Sequence, residues 1–135
     1  MSKGQPDRAT QILVADDHED TRVILRHYFE AMGFEVREAC DGEETLAELN
    51  ESLPDAVVLD IQMPKVDGIA VLRAVREDGA LQRVPILALS AHALSDEVRQ
   101  IREAGADAYL SKPADPKSVV AAVRELIHRR TSPAT

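Results

Sequence analysis

The sequence predicts an α/β domain: a five-stranded, doubly wound parallel sheet with five helices covering both faces. Three observations carry that expectation. Short, continuous apolar runs rich in β-branched residues recur along the chain, and each ends in a polar residue. Longer stretches with apolar residues three and four apart lie between them. The connections are short, and repeated strand–helix units so connected imply parallel strands joined by right-handed crossovers.

The strands come first. Ile12-Leu13-Val14-Ala15 runs into Asp16-Asp17, Ala56-Val57-Val58-Leu59 runs into Asp60, and Pro85-Ile86-Leu87-Ala88-Leu89 runs into Ser90. These read as strands buried on both faces. Phe34 to Ala39 instead alternates, as an edge strand with one wet face does. Asp107 to Ser111 is a shorter candidate for the other edge. Among the helices, Ile24, Leu25, Tyr28, Phe29 and Met32 form a stripe that stops at Gly33, where a C-terminal glycine belongs. Asp41 with Glu44 resembles a capping box ahead of Leu46 and Leu49. Asp67 precedes a segment carrying Val71, Leu72 and Val75, and Ser95 can cap a helix carrying Val98, Ile101 and Ala104 that ends at Gly105. Asp115-Pro116 supplies a cap and a first-turn proline for Val119, Val123, Leu126 and Ile127. Residues 1–10 read as a flexible leader, 11–130 as the domain and 131–135 as a tail.

Composition narrows the function. The chain has 135 residues, 44% apolar and 30% charged, which suits one globular domain of ordinary size and is short for two. The lone Cys40 excludes an internal disulfide and a cysteine-based zinc site. Four aromatic residues are too few for a single-strand stacking platform. A net charge of -8 disfavours non-specific attraction to nucleic acid or anionic lipid. No apolar run approaches the ~20 residues of a membrane helix, and the first ten residues lack a signal-peptide core. A soluble, cytoplasmic protein without membrane partners is expected.

In an open parallel sheet, ligands sit beyond the carboxyl ends of the strands. The residues there are Asp16, Asp17, Asp60 and Ser90, with Lys112 just past the fifth strand. Three crowded carboxylates repel one another unless a cation neutralises them. Oxygen ligands without cysteine favour a hard ion, Mg²⁺ rather than Zn²⁺. A hydroxyl and an ammonium opposite them suit the oxygens of a phosphoryl group, and a carboxylate can itself be a phosphoryl acceptor. Singly, each residue has an ordinary alternative as a cap, a turn or a solvated lysine. Their joint occurrence at four of five strand ends is what points to a site.

This ordered set resembles the response-regulator receiver domain of two-component signalling, over roughly residues 10 to 130. The matching motifs are Asp16-Asp17, Asp60, Met63-Pro64, Asp67-Gly68, Ser90-Ala91 and Lys112-Pro113. The resemblance implies a flavodoxin-like strand order 2-1-3-4-5 and a phosphorylation switch. Asp60 would accept a phosphoryl group from a sensor histidine kinase or a histidine phosphotransfer protein. Asp17, Asp60 and the backbone carbonyl of Gln62 would ligate Mg²⁺, with Asp16 acting through water. Lys112 would pair with Asp60 and then with the phosphoryl group, Ser90 would reorient towards it, and Tyr109 would follow Ser90. The Lys112-Pro113 bond would be cis.

The same resemblance sets further expectations. Gln62 and His92 occupy positions that tune loss of the phosphoryl group, while His18, His27 and His128 have no partner identifiable in the sequence. A final helix ending near Arg130 and an Ala114 after Lys112-Pro113 lead to the expectation of a stand-alone domain without direct DNA binding. Its output would be an unidentified protein held by the face of the fourth helix, fifth strand and fifth helix. Its only catalysis would be its own phosphoryl transfer and loss. A metal-dependent phosphohydrolase is the alternative of another class, but Asp60-Ile61-Gln62 lacks the second carboxylate of an Asp-x-Asp nucleophile motif. A scaffold that had lost phosphorylation would not keep the complete acidic set.

Overall fold

Strands and helices alternate without exception along the computed structural model, which describes residues 9–91 and 94–131. In order they are β1 (Gln11–Ala15), α1 (Glu19–Ala31), β2 (Glu35–Ala39), α2 (Gly42–Glu51), β3 (Ala56–Asp60), α3 (Gly68–Glu77), β4 (Ile86–Ser90), α4 (Ser95–Ala104), β5 (Ala108–Ser111) and α5 (Pro116–Thr131). The strands form one parallel sheet in the order β2-β1-β3-β4-β5. Fold class, strand order and both edge strands agree with the sequence expectation. Most of the leader, residues 1–8, and residues 132–135 of the tail lie outside the described residues.

Alternation along the strands divides the core into two apolar layers. Leu13, Val57, Leu59, Ile86 and Ala88 face Leu49 of α2, Val71, Leu72 and Val75 of α3, and Ile101 of α4. Ile12, Val14, Val58, Leu87 and Leu89 face the opposite way, against Leu25 and Phe29 of α1 and Val119, Val123 and Leu126 of α5. The continuous apolar runs are therefore strands packed on both sides, and the two layers hold the strand ends in fixed relation.

Most of the end signals act as expected. Asp41 Oδ1 accepts from the Glu44 N–H at 2.8 Å, while Glu44 reaches back to the Cys40 N–H rather than to that of Asp41. Asp67 caps α3 through the Ala70 N–H, and Asp115 accepts from the Lys117 N–H beyond Pro116. Gly33 and Gly105 both take positive φ after their helices. Two expectations fail. Leu94, not Ser95, occupies the cap position of α4, and Ser95 is already its first helical residue. The stripe on α1 is narrower than its apolar content, because Leu25 and Phe29 are buried while Ile24 and Met32 are about half exposed. Apolar residues on a helix rim need no partner in order to fold.

The start of α3 presses directly on the end of β3. The Gly68 N–H donates to the Ile61 carbonyl at 2.9 Å, and a Cβ at Gly68 would lie 2.5 Å from Ile61 Cα and 2.8 Å from the Asp60 carbonyl oxygen. Only glycine permits that approach. Gly68→Ala should therefore destabilise the fold by about 1–3 kcal/mol, the usual cost of overpacking. Gly79→Ala, with nothing within 4 Å of the added carbon, should stay within about 0.5 kcal/mol. Urea denaturation of the two variants checks this; equal losses would show that the contact under Asp60 carries no strain.

Candidate functional site

The strand order reverses at β1 and β3. The connection through α1 carries the chain outward to β2, and the connection through α2 brings it back across β1 to β3. A crevice at the carboxyl ends of these two strands is the expected ligand position. Asp16 follows β1 immediately, Asp60 and Ser90 are the last residues of β3 and β4, and Lys112 follows β5. Backbone pairing holds these ends: Asp16 N–H donates to Ala39 at 3.0 Å, Ile61 N–H to Leu89 at 2.9 Å, and Lys112 N–H to Ser90 at 2.8 Å.

Asp16 and Asp60 are buried, and the Lys112 ammonium lies between them, 3.2 Å from Asp16 Oδ2 and 3.1 Å from Asp60 Oδ2. That is ion-pair distance, yet neither oxygen receives a directed hydrogen bond. Asp60 Oδ1 accepts from the Gln62 N–H at 3.1 Å. One carboxylate oxygen from each of Asp16, Asp17 and Asp60 and one ring nitrogen of His18 all lie within 4.8 Å of one another. His18 thus has partners that the sequence did not reveal: its Nδ1 is 3.2 Å from both Asp16 Oδ1 and Asp17 Oδ1. His27 also has one, an edge-on ring contact with Tyr28.

The structure brings Ser90 and Gln62 together, with a third residue that the sequence did not single out. The Ser90 hydroxyl bonds Glu97 Oε1 in the first turn of α4. Gln62 Nε2 donates to Ser90 Oγ at 3.2 Å, and Gln62 Oε1 accepts from the Ala91 N–H at 3.1 Å. Nothing in the sequence marks Glu97, because its two partners lie 7 and 35 residues away and the fold alone brings them to it. Tyr109 is half-buried on β5, two residues before Ser111, the register partner of Ser90. The Lys112-Pro113 bond is cis, as expected. His92 lies outside the described residues.

Residues 12–124 match the family described as the response regulator receiver domain. The chain belongs to that family. It is 44% identical over 126 residues to "Transcriptional regulatory protein PrrA" of Mycobacterium tuberculosis, covering 93% of this chain and 53% of PrrA. The Francisella response regulator 1452 receiver domain superposes with a TM-score of 0.84 at 30% identity, covering 90% of this chain and 99% of that one. The receiver domain of sensor histidine kinase PA1611 from Pseudomonas aeruginosa, described with a magnesium ion coordinated in its active-site cleft, gives 0.81 at 26% identity over 89% and 98% of the two chains.

One expectation is corrected by these comparisons. The receiver domain spans about half the length of the curated relatives it matches, and PrrA is named for transcriptional regulation. The expectation of partners that exclude DNA, met only through the face of α4, β5 and α5, therefore does not stand. Ala114 is too slight a signal to separate the chain from transcriptional regulators, and the end of α5 carries no information about further domains. Among the described residues, no helix is long and apolar enough to cross a membrane.

A hard cation fits the residues present. Oxygens of three carboxylates cluster with one another, only two of those carboxylates pair with the Lys112 ammonium, and the buried Oδ2 atoms of Asp16 and Asp60 lack a directed donor. Burial pushes the Asp60 carboxyl up, neighbouring Asp16 pushes it further, and Lys112 and the Gln62 N–H offset this only in part, leaving it at about 6. Burial works against the charge on Lys112, but Asp16 and Asp60 outweigh it and raise its pKa.

The sign of the resulting pH effect is set by Asp60. Its folded pKa lies above the ordinary 3.8, so between about pH 4 and 6 the native state binds more protons than the unfolded chain. Metal-free stability therefore falls as pH rises through that window. Asp60→Asn should raise the metal-free Tm at pH 7.5, by the equivalent of roughly 2–3 kcal/mol, and change it little at pH 4. Thermal denaturation in a chelating buffer at both values reads this; an equal change at both would show that Asp60 carries no burial penalty.

Proposed function

We propose that this receiver domain is a phosphorylation switch whose acceptor is Asp60, with the phosphohistidine of a sensor kinase or phosphotransfer protein as donor. The observation that carries the reading is the buried Asp60 carboxylate, which shares the Lys112 ammonium with Asp16 and has one oxygen that receives no directed hydrogen bond. An Asp60 oxygen attacks phosphorus, the bond from phosphorus to the donor nitrogen breaks, and the imidazole leaves with the electron pair. The product is an acyl phosphate.

Asp17, Asp60 and the Gln62 backbone carbonyl would hold Mg²⁺, and Asp16 would act through water. When bound, the ion offsets the charge of the carboxylates and of the incoming phosphoryl oxygens. Lys112 keeps Asp60 partnered at rest and then serves a phosphoryl oxygen. Ser90 donates its hydroxyl to another, and Tyr109, on the same sheet face, responds to the vacated space. The domain acts only on itself, gaining and losing one group. The similarity to a protein named for transcriptional regulation supports an output on transcription.

Incubation with acetyl phosphate and Mg²⁺ should add one base-labile phosphoryl group by intact mass, and Asp60→Asn should take up none. Label that persists in the variant, or sustained turnover of a simple phosphate ester, would overturn the reading. Asp17→Ala should weaken Mg²⁺ binding at least about tenfold by calorimetric titration, since even outer-sphere losses cost that much. Unchanged affinity would remove Asp17 from the site.

A further inference from the structure

The Ser90 hydroxyl is not idle in this structure. It is buried at the end of β4 and bonded to Glu97 Oε1. Gln62 Nε2, besides donating to Ser90 Oγ, lies 3.5 Å from Glu97 Oε2. Both oxygens of one half-buried carboxylate therefore hold side chains that flank Asp60. A serine hydroxyl has a single proton to donate. It can serve Glu97 or a phosphoryl oxygen on Asp60, not both at once.

We infer that Glu97 is a positioning residue for the site: by holding the Ser90 hydroxyl and the Gln62 carboxamide, it sets the fraction of molecules whose Ser90 is available to the phosphoryl group. The role rests on Asp60 being the acceptor. A hydrogen bond to a carboxylate is among the stronger ones a hydroxyl makes, so at rest the Glu97-bound arrangement dominates. The apparent affinity for a phosphoryl group or its mimic is then reduced by the fraction in the available state. Phosphorylation must discharge the contact, and its loss frees the first turn of α4 from β4.

Glu97 also carries negative charge near a site for an anion, so simple repulsion predicts tighter anion binding on its removal too. The two effects separate through Ser90. Repulsion acts whether or not the hydroxyl is present, while positioning acts only through it.

The test is a beryllofluoride titration in Mg²⁺, followed by NMR, on the wild type, Glu97→Ala, Glu97→Gln, Ser90→Ala and the Glu97→Ala/Ser90→Ala double variant. Thermal denaturation first establishes that each is folded. Glu97→Ala should tighten the apparent Kd by about tenfold, within the range of a 1–3 kcal/mol coupling. Glu97→Gln, which keeps an acceptor oxygen but loses the charge, should gain less. In the Ser90→Ala background the same Glu97→Ala change should alter Kd by less than about twofold, the non-additivity expected when one residue acts through the other.

Equal gains in the two backgrounds would reduce Glu97 to a repelling charge and overturn its positioning role, as would no gain in either. Failure of the wild type to bind beryllofluoride, or binding that survives Asp60→Asn, would instead overturn the acceptor reading and take the Glu97 role with it.

Discussion

Everything at this site depends on two carboxylates, Asp16 and Asp60, being buried side by side under one ammonium. Like charges in a poorly solvated place raise each other's energy, and a single cation between them removes only part of the cost. Water would relieve the strain if the strand ends could part. They cannot, because the sheet is pinned on both faces by apolar layers running from Ile12 to Leu126 on one side and from Leu13 to Ala104 on the other. The fold's stability is thus what keeps the carboxylates together, and the residual charge is what gives the crevice its appetite for a cation. Locally unfavourable arrangements of this kind persist where the surrounding structure over-determines them.

The two ends of the sheet are built differently. At the amino ends of the strands, Arg76, Asp107 and Asp55 are tied to backbone groups. Arg76 donates to the carbonyls of Gly105, Gln82 and Val84 at 2.8, 2.9 and 2.8 Å and pairs with Asp107, whose carboxylate also accepts from the Ile86 N–H. Asp55 receives the Gln11 N–H at 2.7 Å. One arginine therefore ties α3, the approach to β4 and the turn before β5 into a single unit. At the carboxyl ends, side chains exchange hydrogen bonds across loops instead, through Gln62, Ser90 and Glu97. Breaking one bond between side chains costs less than releasing a guanidinium held by three carbonyls.

Legibility in the sequence tracked the range of the interactions. The strands were readable because burial on both faces leaves a continuous apolar run, and the caps at Asp41, Asp67 and Asp115 because a cap acts within three residues. Asp16, Asp60, Ser90 and Lys112 were readable because a parallel sheet gathers strand ends, whichever strands they end. The α1 stripe was over-read, since Ile24 and Met32 share the periodicity of Leu25 and Phe29 without their burial. Glu97 was invisible because its contacts, with Ser90 across the β4–α4 connection and with Gln62 after β3, are set by the fold and not by any spacing in the sequence. His18 was adjacent in sequence to its partners and still unread: only the turn from β1 into α1, with the His18 N–H bonded to Asp16 at 2.8 Å, folds the ring back onto the acids.

The gathering of the site also bears on what a domain of this kind needs from its surroundings. Asp16, Asp17, Asp60, Gln62, Ser90, Glu97 and Lys112 all fall within residues 12–124, the segment that matches the family. Every distance that defines the crevice is fixed by pairing among β1, β3, β4 and β5 and by the two core layers. The crevice is therefore assembled entirely within this chain, whatever else a longer protein carries. What reads the crevice is a separate matter, since this chain spans about half the length of the curated relatives it matches. Any link from the crevice to what lies outside it needs a part of the domain that touches both the crevice and solvent. Helix α4 meets that condition directly, since the carboxylate of its first turn reaches the buried end of β4 while the adjoining Leu94 stands exposed to solvent.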